Sequence, residues 1–323
     1  MKDRWLIVTP TFYRNGSGAS TYYRLLTDEL EKRGRIIGIV SETDHNKKGN
    51  YWGLFPKRSS KRKRLYVDVF LYGIQNVSYF LIPFIVRKFN PNRILVHTGL
   101  LNHISILPIV LFCIKKICKN KKIIADTRDP LMPYRYRKVF NNFDKIIACS
   151  ENVRKHLIEL EINKDRIIRI PVIQEKIVYI GKDNKEDYIL YAGMLKRQKN
   201  IHILVKAFSD YVLPKYPNYQ LVLAGNKKEI SKSFNRLLSS KNVVLIGNVQ
   251  RSKLLEMISK ASVCVDISEV EGLPRFCLEA MALGCPVLLP PAVDEFQRYA
   301  PNSVITRINV DSVGKKLLEL VQK

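Results

Sequence analysis

Glu271 and Glu279 bracket a turn rich in helix-start signals: Glu271-Gly272-Leu273-Pro274-Arg275, continuing as Phe276-Cys277-Leu278-Glu279-Ala280-Met281-Ala282. Proline lacks an N–H and suits the first turn of a helix. A helix start carries unpaired N–H groups and the positive end of the dipole, and both favour a phosphate. Glu279 would lie a turn or more inside that helix, where its carboxylate can accept sugar or ribose hydroxyls. The same pattern also suits a plain helix with an acidic residue in its early turns. Lys199 is a second candidate, a cation in the loop after the strand Tyr188–Ala192. Its plainer alternative is a solvated loop lysine. In the first half, Asn15-Gly16-Ser17-Gly18-Ala19 can make a tight turn or let backbone approach a ligand. His97, Asp126 and Asp129 follow apolar runs, where they suit a core histidine and helix-capping aspartates.

The elements that must position these groups alternate from end to end, short apolar strands with amphipathic helices, as in parallel α/β sheets. The first half reads as strands Trp5–Thr9, Arg35–Val40, Arg93–Val96, Lys122–Ala125 and Lys145–Ala148. Helices are expected over Ala19–Arg33, Tyr66–Lys88, Ile104–Cys118 and Glu151–Leu160, with Asn90-Pro91 as a stop. The second half reads as strands Tyr188–Ala192, Gln220–Ala224, Asn242–Ile246, Ser262–Asp266 and Pro286–Leu289. Its helices fall near His202–Val212, Lys253–Ser259, Arg275–Leu283 and Val310–Val321. The polar stretch 174–187 separates them as a hinge between domains at 1–173 and 188–323. Doubly wound domains bind ligands at the carboxyl ends of their strands, and domain interfaces often hold the site.

Composition narrows the class. Of the 323 residues 46% are hydrophobic and 26% charged. Those proportions are globular. The six cysteines show no paired C-x-x-C spacing, so neither a zinc site nor a disulfide framework is indicated. The apolar run after Met1-Lys2-Asp3-Arg4 is too short for a signal peptide. The stretch from Tyr66 to Val86 includes Asp68, Gln75, Asn76 and Pro83, which argues against a membrane span. The net charge of +26 gathers in two clusters, at 57–64 and 115–122. Such clusters can hold a protein on an anionic leaflet. They also suit nucleic acid or a solvated surface, but no basic-aromatic module supports nucleic-acid binding.

The stretch from Glu271 to Val287 resembles the E-x7-E signature of the family 4 glycosyltransferases of GT-B fold, in a variant reading E-G-L-P-R, then L-E-A-M-A-x-G-x-P-V. The fold implied is two doubly wound Rossmann-like domains facing across a cleft. In that family the second glutamate, here Glu279, binds the donor ribose, and the first, Glu271, lies beside the donor sugar and diphosphate. Gly193 and Lys199 fall in a segment similar to G-R-L-x-x-x-K-G, whose lysine meets the diphosphate; Met194 stands where the family has arginine, and Lys196, Arg197 or Arg275 are possible substitutes. Gly247, Asn248 and Val249 resemble the loop whose main chain contacts the base. Gly18 matches the second glycine of a G-G loop, with Gly16 nearby and Ser17 in place of the first. Ile94-Leu95-Val96-His97 resembles D-V-V-H, with Gly99 where a second histidine often stands. Asp126-Thr127-Arg128-Asp129 is similar to the D-x-R-D of bacterial polysaccharide members.

The resemblance implies retaining transfer of a sugar from a nucleotide-diphosphate-sugar to a surface polysaccharide acceptor, lipid-linked and at the cytoplasmic face of the membrane. Glu271, Lys199 and Asp126 would be catalytic. Gly272, Leu273, Pro274 and Arg275 would join Glu279 around the donor, and His97 and Asp129 would lie on the acceptor side. No D-x-D element is present, so neither metal nor other cofactor is expected. The alternatives are a nucleotide-sugar epimerase, a phosphorylase (normally a longer chain) and a non-catalytic subunit that binds a partner enzyme.

Overall fold

Runs of aliphatic and β-branched residues become buried parallel strands, because a strand covered on both faces has no polar side. The computed structural model describes residues 3–10, 18–41, 50–53, 79–102, 107–117, 120–128, 133–171, 177, 185–225, 238–239, 242–291 and 303–322. The chain divides into two units, Met1–Ile173 and Gln174–Lys323. Most of the expected hinge at 174–187 lies outside the described residues.

The first unit holds strands β1 (Arg4–Thr9), β2 (Ile36–Ser41), β3 (Tyr51–Gly53), β4 (Arg93–His97), β5 (Lys122–Thr127), β6 (Lys145–Ala148) and β7 (Ile167–Arg169). Its helices are α1 (Gly18–Lys32), α2 (Ile82–Phe89), α3 (Leu107–Ile117) and α4 (Glu151–Glu159). The sheet order is β3-β2-β1-β4-β5-β6-β7, parallel throughout. Strand order reverses between β1 and β4, the switch point at which doubly wound sheets open a crevice. Leu6, Ile7 and Val8 of β1 are buried, and Tyr22 and Tyr23 of α1 pack on Ile7 with Ile37, Ile39 and Leu95. Ser150 caps α4 by accepting the Val153 N–H. Asn90 ends α2 in the left-handed region, its N–H on the Val86 carbonyl, just before Pro91. Of the long helix expected from Tyr66, Tyr79–Leu81 form a 3-10 turn leading into α2, and 66–78 lie outside the described residues.

The second unit holds β8 (Glu186–Ala192), β9 (Gln220–Ala224), β10 (Val243–Gly247), β11 (Ala261–Val265), β12 (Val287–Leu289) and β13 (Ser303–Ile305). Its helices are α5 (Ile201–Ala207), continued by a π turn to Val212, α6 (Arg251–Lys260), α7 (Arg275–Ala282) and α8 (Val310–Val321). The order β10-β9-β8-β11-β12-β13 is again parallel, with the switch between β8 and β11. Val313, Leu317 and Leu320 of α8 close over Leu204, Phe208 and Val212. That approach needs Gly314, where an added Cβ would lie 2.2 Å from the Tyr211 ring. On the other face α7 buries Phe276, Cys277 and Ala280 with Leu190 and Cys264. The described cysteines are free thiols, and Cys149, Cys264, Cys277 and Cys285 act as small core residues.

Candidate functional site

The loops leaving β8 and β11 are laced together at the second switch point. Asp266 accepts the Ser268 N–H at 2.9 Å and its hydroxyl, turning the chain straight after β11. Buried Asn200 donates its amide to the Ile267 carbonyl at 3.0 Å, and the Glu269 N–H reaches the Gln198 carbonyl at 2.9 Å. Asn200 holds φ 52°. This is the left-handed geometry, which lets one short turn end and α5 begin. Between these ties Lys199 and Glu271 form an ion pair, each side chain about four-fifths buried. Two candidates from separate segments thus meet.

Next along the chain Gly272 and Pro274 are buried and α7 begins. Pro274 takes the capping position, one residue earlier than its usual place in the first turn, and no side chain caps the helix. Arg275 is the first helical residue. Glu279 is 3% exposed and its Oε1 accepts from Arg251 Nη1 at 2.7 Å and Arg275 Nη2 at 3.5 Å. Arg275 was legible as a partner at helical spacing. Arg251, at the start of α6, was not, because nothing local in the sequence ties it to Glu279.

Three glycines finish the strands beside this loop. The Gly193 N–H bonds the Ala224 carbonyl at 2.9 Å, and the Gly225 N–H bonds the Gly247 carbonyl at 2.7 Å. Gly225 has φ 150°, and a Cβ there would sit 1.8 Å from the Gly193 carbonyl oxygen. Gly247 has φ 69° and open space around it. Asn248 and Val249 follow it on the way to α6, so the expected base-contacting loop lies at the carboxyl end of β10. Met194 is half exposed, and its carbonyl takes the Tyr191 hydroxyl at 3.0 Å.

The first unit gathers a different set. His97 ends β4 in register with Asp126 on β5. The His97 Nδ1 accepts the Gly99 N–H at 3.0 Å. That bond puts the proton of the neutral ring on Nε2. Gly99 is small for that reason: a Cβ would lie 2.4 Å from the imidazole. Asp126 is fully buried and held by the Tyr23 hydroxyl at 2.5 Å and by Arg128 at 2.9 Å. The Arg128 guanidinium lies 3.4 Å over the Tyr22 ring. Burial, then the Asp126 charge, raises both tyrosines well above the usual phenol range. Burial is the largest single influence and opposes the Arg128 charge, but Asp126, Tyr22, Tyr23 and Cys149 together outweigh it and the guanidinium is held more firmly protonated. Burial pushes the Cys149 thiol up to about 12. Asp126 is therefore an enclosed anion that organises its neighbours. Gly18 is the first residue of α1; Gly16 and Asp129 lie outside the described residues.

Residues 172–307 match the family described as glycosyl transferases group 1. That stretch of the chain is similar to a glycosyltransferase domain. An uncharacterized glycosyltransferase of Methanocaldococcus jannaschii is 27% identical over 233 residues, 63% of this chain and 56% of that protein, so the match spans little more than half of the archaeal relative. The alpha-monoglucosyldiacylglycerol synthase of Streptococcus pneumoniae is 22% identical over 314 residues, covering 87% of this chain and 70% of the synthase. Among solved structures, Anabaena Alr3699/HepE in complex with UDP and glucose superposes with a TM-score of 0.73 at 14% identity, over 99% of this chain and 90% of that one. Likeness at that identity speaks to fold, and the fold is the two-domain GT-B class.

Proposed function

We propose that the chain transfers a sugar from a nucleoside-diphosphate sugar to a lipid-linked precursor of a surface polysaccharide, with retention of anomeric configuration and without a metal ion. The observation that carries this is the Lys199–Glu271 pair beside the uncapped start of α7, with Glu279 buried one turn on. The donor diphosphate would meet the α7 N–H groups and Lys199, which together bear the charge released as the glycosidic bond breaks. Glu279, steadied by Arg251 and Arg275, would accept the ribose hydroxyls, and Glu271 would face the donor sugar. Gly247 to Val249 would border the base. The leaving phosphate would take the acceptor proton, which accounts for retention without a protein base. In the first unit Asp126 would hold Arg128 and the neighbouring tyrosines, leaving His97 and Asp129 nearer the acceptor.

The acceptor reading is supported by charge. Lys115 and Lys116 are exposed on α3, followed by Lys121 and Lys122, and the 57–64 cluster lies outside the described residues. We read this charge as holding the protein peripherally at the inner face of the cytoplasmic membrane. No described helix is long and apolar enough to cross a membrane. A second reading, a non-catalytic subunit, is favoured by one observation: half-exposed Met194 supplies no cation where the family has one.

The test is release of nucleoside diphosphate from a panel of nucleotide sugars with lipid-linked acceptors. Lys199→Ala and Glu279→Ala should each lose about a hundredfold in turnover. Full activity in both variants would refute the site. Absence of nucleotide binding by calorimetry would favour the non-catalytic subunit.

A further inference from the structure

Large apolar side chains cluster on the outside of α3, of α2 and of the turn that leads into α2. Phe84 is 72% exposed, Leu81 52%, Phe80 41%, and Ile109 and Phe112 are each 53%. Other exposed hydrophobics, such as Ile158 and Ile168, lie on different elements. The two helices pack side by side. Their inner faces are ordinary core: Ile82, Val86 and Phe89 on α2, and Val110, Leu111 and Ile114 on α3, are buried. The outward stripe therefore follows helical spacing on both elements.

Each stripe changes character along its helix. The first runs from Phe80, Leu81 and Phe84 to Arg87 and Lys88; on α3 the second runs from Ile109 and Phe112 to Lys115 and Lys116. Lys116 lies 5.5 Å over the Phe112 ring, and Lys115 reaches the Asn141 carbonyl at 3.2 Å. Both helices lead into the starts of parallel strands, α2 into β4 and α3 into β5, so they run in the same direction. Lys121 joins their carboxyl ends through Asn90 Oδ1 at 2.5 Å. The apolar halves consequently lie together toward the carboxyl edge of the first sheet, the edge that ends in His97 and Asp126.

We infer that this face is a bilayer-insertion surface: Phe80, Leu81, Phe84, Ile109 and Phe112 enter the boundary between headgroups and acyl chains, while Arg87, Lys88, Lys115 and Lys116 meet anionic lipid. Apolar burial and basic attraction add in this arrangement. Charge selects the occupant. A second copy, itself at +26, would bring like clusters together, whereas an anionic leaflet satisfies both halves of each stripe. The inference rests on the peripheral-membrane reading above and adds to it that apolar contact, rather than charge alone, fixes which edge faces the lipid.

Flotation of the full chain with vesicles of phosphatidylcholine, alone or mixed with phosphatidylglycerol, tests this. The Phe84→Ser/Phe112→Ser variant keeps the charge unchanged and touches no core position. It should lose about tenfold or more in partition to the mixed vesicles. A separate Phe84→Trp variant should show added emission that shifts to the blue and is quenched by brominated lipid. Unaltered partition of the serine variant, or an unquenched tryptophan, would overturn the inference. So would a concentration-dependent dimer of the wild type that the serine substitutions abolish, since that would make the face a self-interface. Donor hydrolysis measured without vesicles should be equal in wild type and serine variant. If neither hydrolyses any donor while partition follows the expectation, the transfer reading fails and the membrane face stands.

Discussion

Gly225→Ala puts the strand-end geometry of the second unit to a quantitative test. The new Cβ would sit 1.8 Å from the Gly193 carbonyl oxygen, a backbone atom that cannot swing aside. Real Cβ atoms essentially never come within about 3 Å of such an oxygen, so the end of β8 must move by roughly 1 Å or more. The backbone at Gly225 has φ 150°. That angle adds strain for any residue with a side chain. Overpacking and backbone strain of this kind cost about 1–3 kcal/mol each, so a loss of about 2–5 kcal/mol in unfolding free energy is expected. The displaced segment leads to Lys199, and misplacement by about 1 Å near a reacting group costs about a hundredfold in rate. Gly247→Ala is the internal control. Its φ is 69° but nothing lies within 4 Å. The substitution there should cost only about 1 kcal/mol. Urea unfolding monitored by circular dichroism, with nucleoside diphosphate release in parallel, reads both effects. A Gly225→Ala protein as stable and active as Gly247→Ala would refute the packing argument.

Arg251→Ala should weaken nucleoside diphosphate binding and cost about 1–3 kcal/mol, the low end for a buried charge pair because Arg275 remains on Glu279; calorimetry with ribo- and 2′,3′-dideoxynucleotides should show the loss for the ribonucleotide alone. Asp126→Asn should destabilise the first unit by about 3–5 kcal/mol, since Arg128 would keep its charge with no counter-ion; unchanged stability with lost turnover would instead make Asp126 a catalytic group. The Cys149 thiol and the Tyr22 and Tyr23 phenols all titrate higher in the folded chain than in the unfolded one, so they lower stability only on the alkaline side. Unfolding free energy should be indifferent to them at neutral pH and fall as pH rises from about 9, where unfolded thiols ionise, towards about 12; a Cys149→Ala variant that shows the full alkaline loss would exclude the thiol as a contributor.

Long apolar runs made most of the architecture readable. The β1, β4 and β9 strands and α8 fall within a residue or so of their expected bounds, because buried parallel strands and an amphipathic helix carry strong periodic signals. The strands β3, β7 and β13 escaped notice, being three residues each and distinguished only by the sheet edge they join. Around the site, Lys199, Glu271 and Glu279 were found through motif resemblance; no local pattern could show that the first two meet. Arg251 was missed because its partner is remote in sequence and arginines are abundant here. Asp126 was noticed for its chemistry, yet its enclosure by Tyr23, 103 residues away, is a property of tertiary packing.

The closure of α8 over α5 sets an order of assembly. Leu204, Phe208 and Val212 emerge from the ribosome about a hundred residues before the helix that shields them, so nascent chains carry that apolar surface bare for much of synthesis. The first unit has its last strand in hand by Arg169 and can consolidate early. Translation stalled shortly before Val310 should accordingly leave a chain that recruits chaperones through its second half while its first half resists protease.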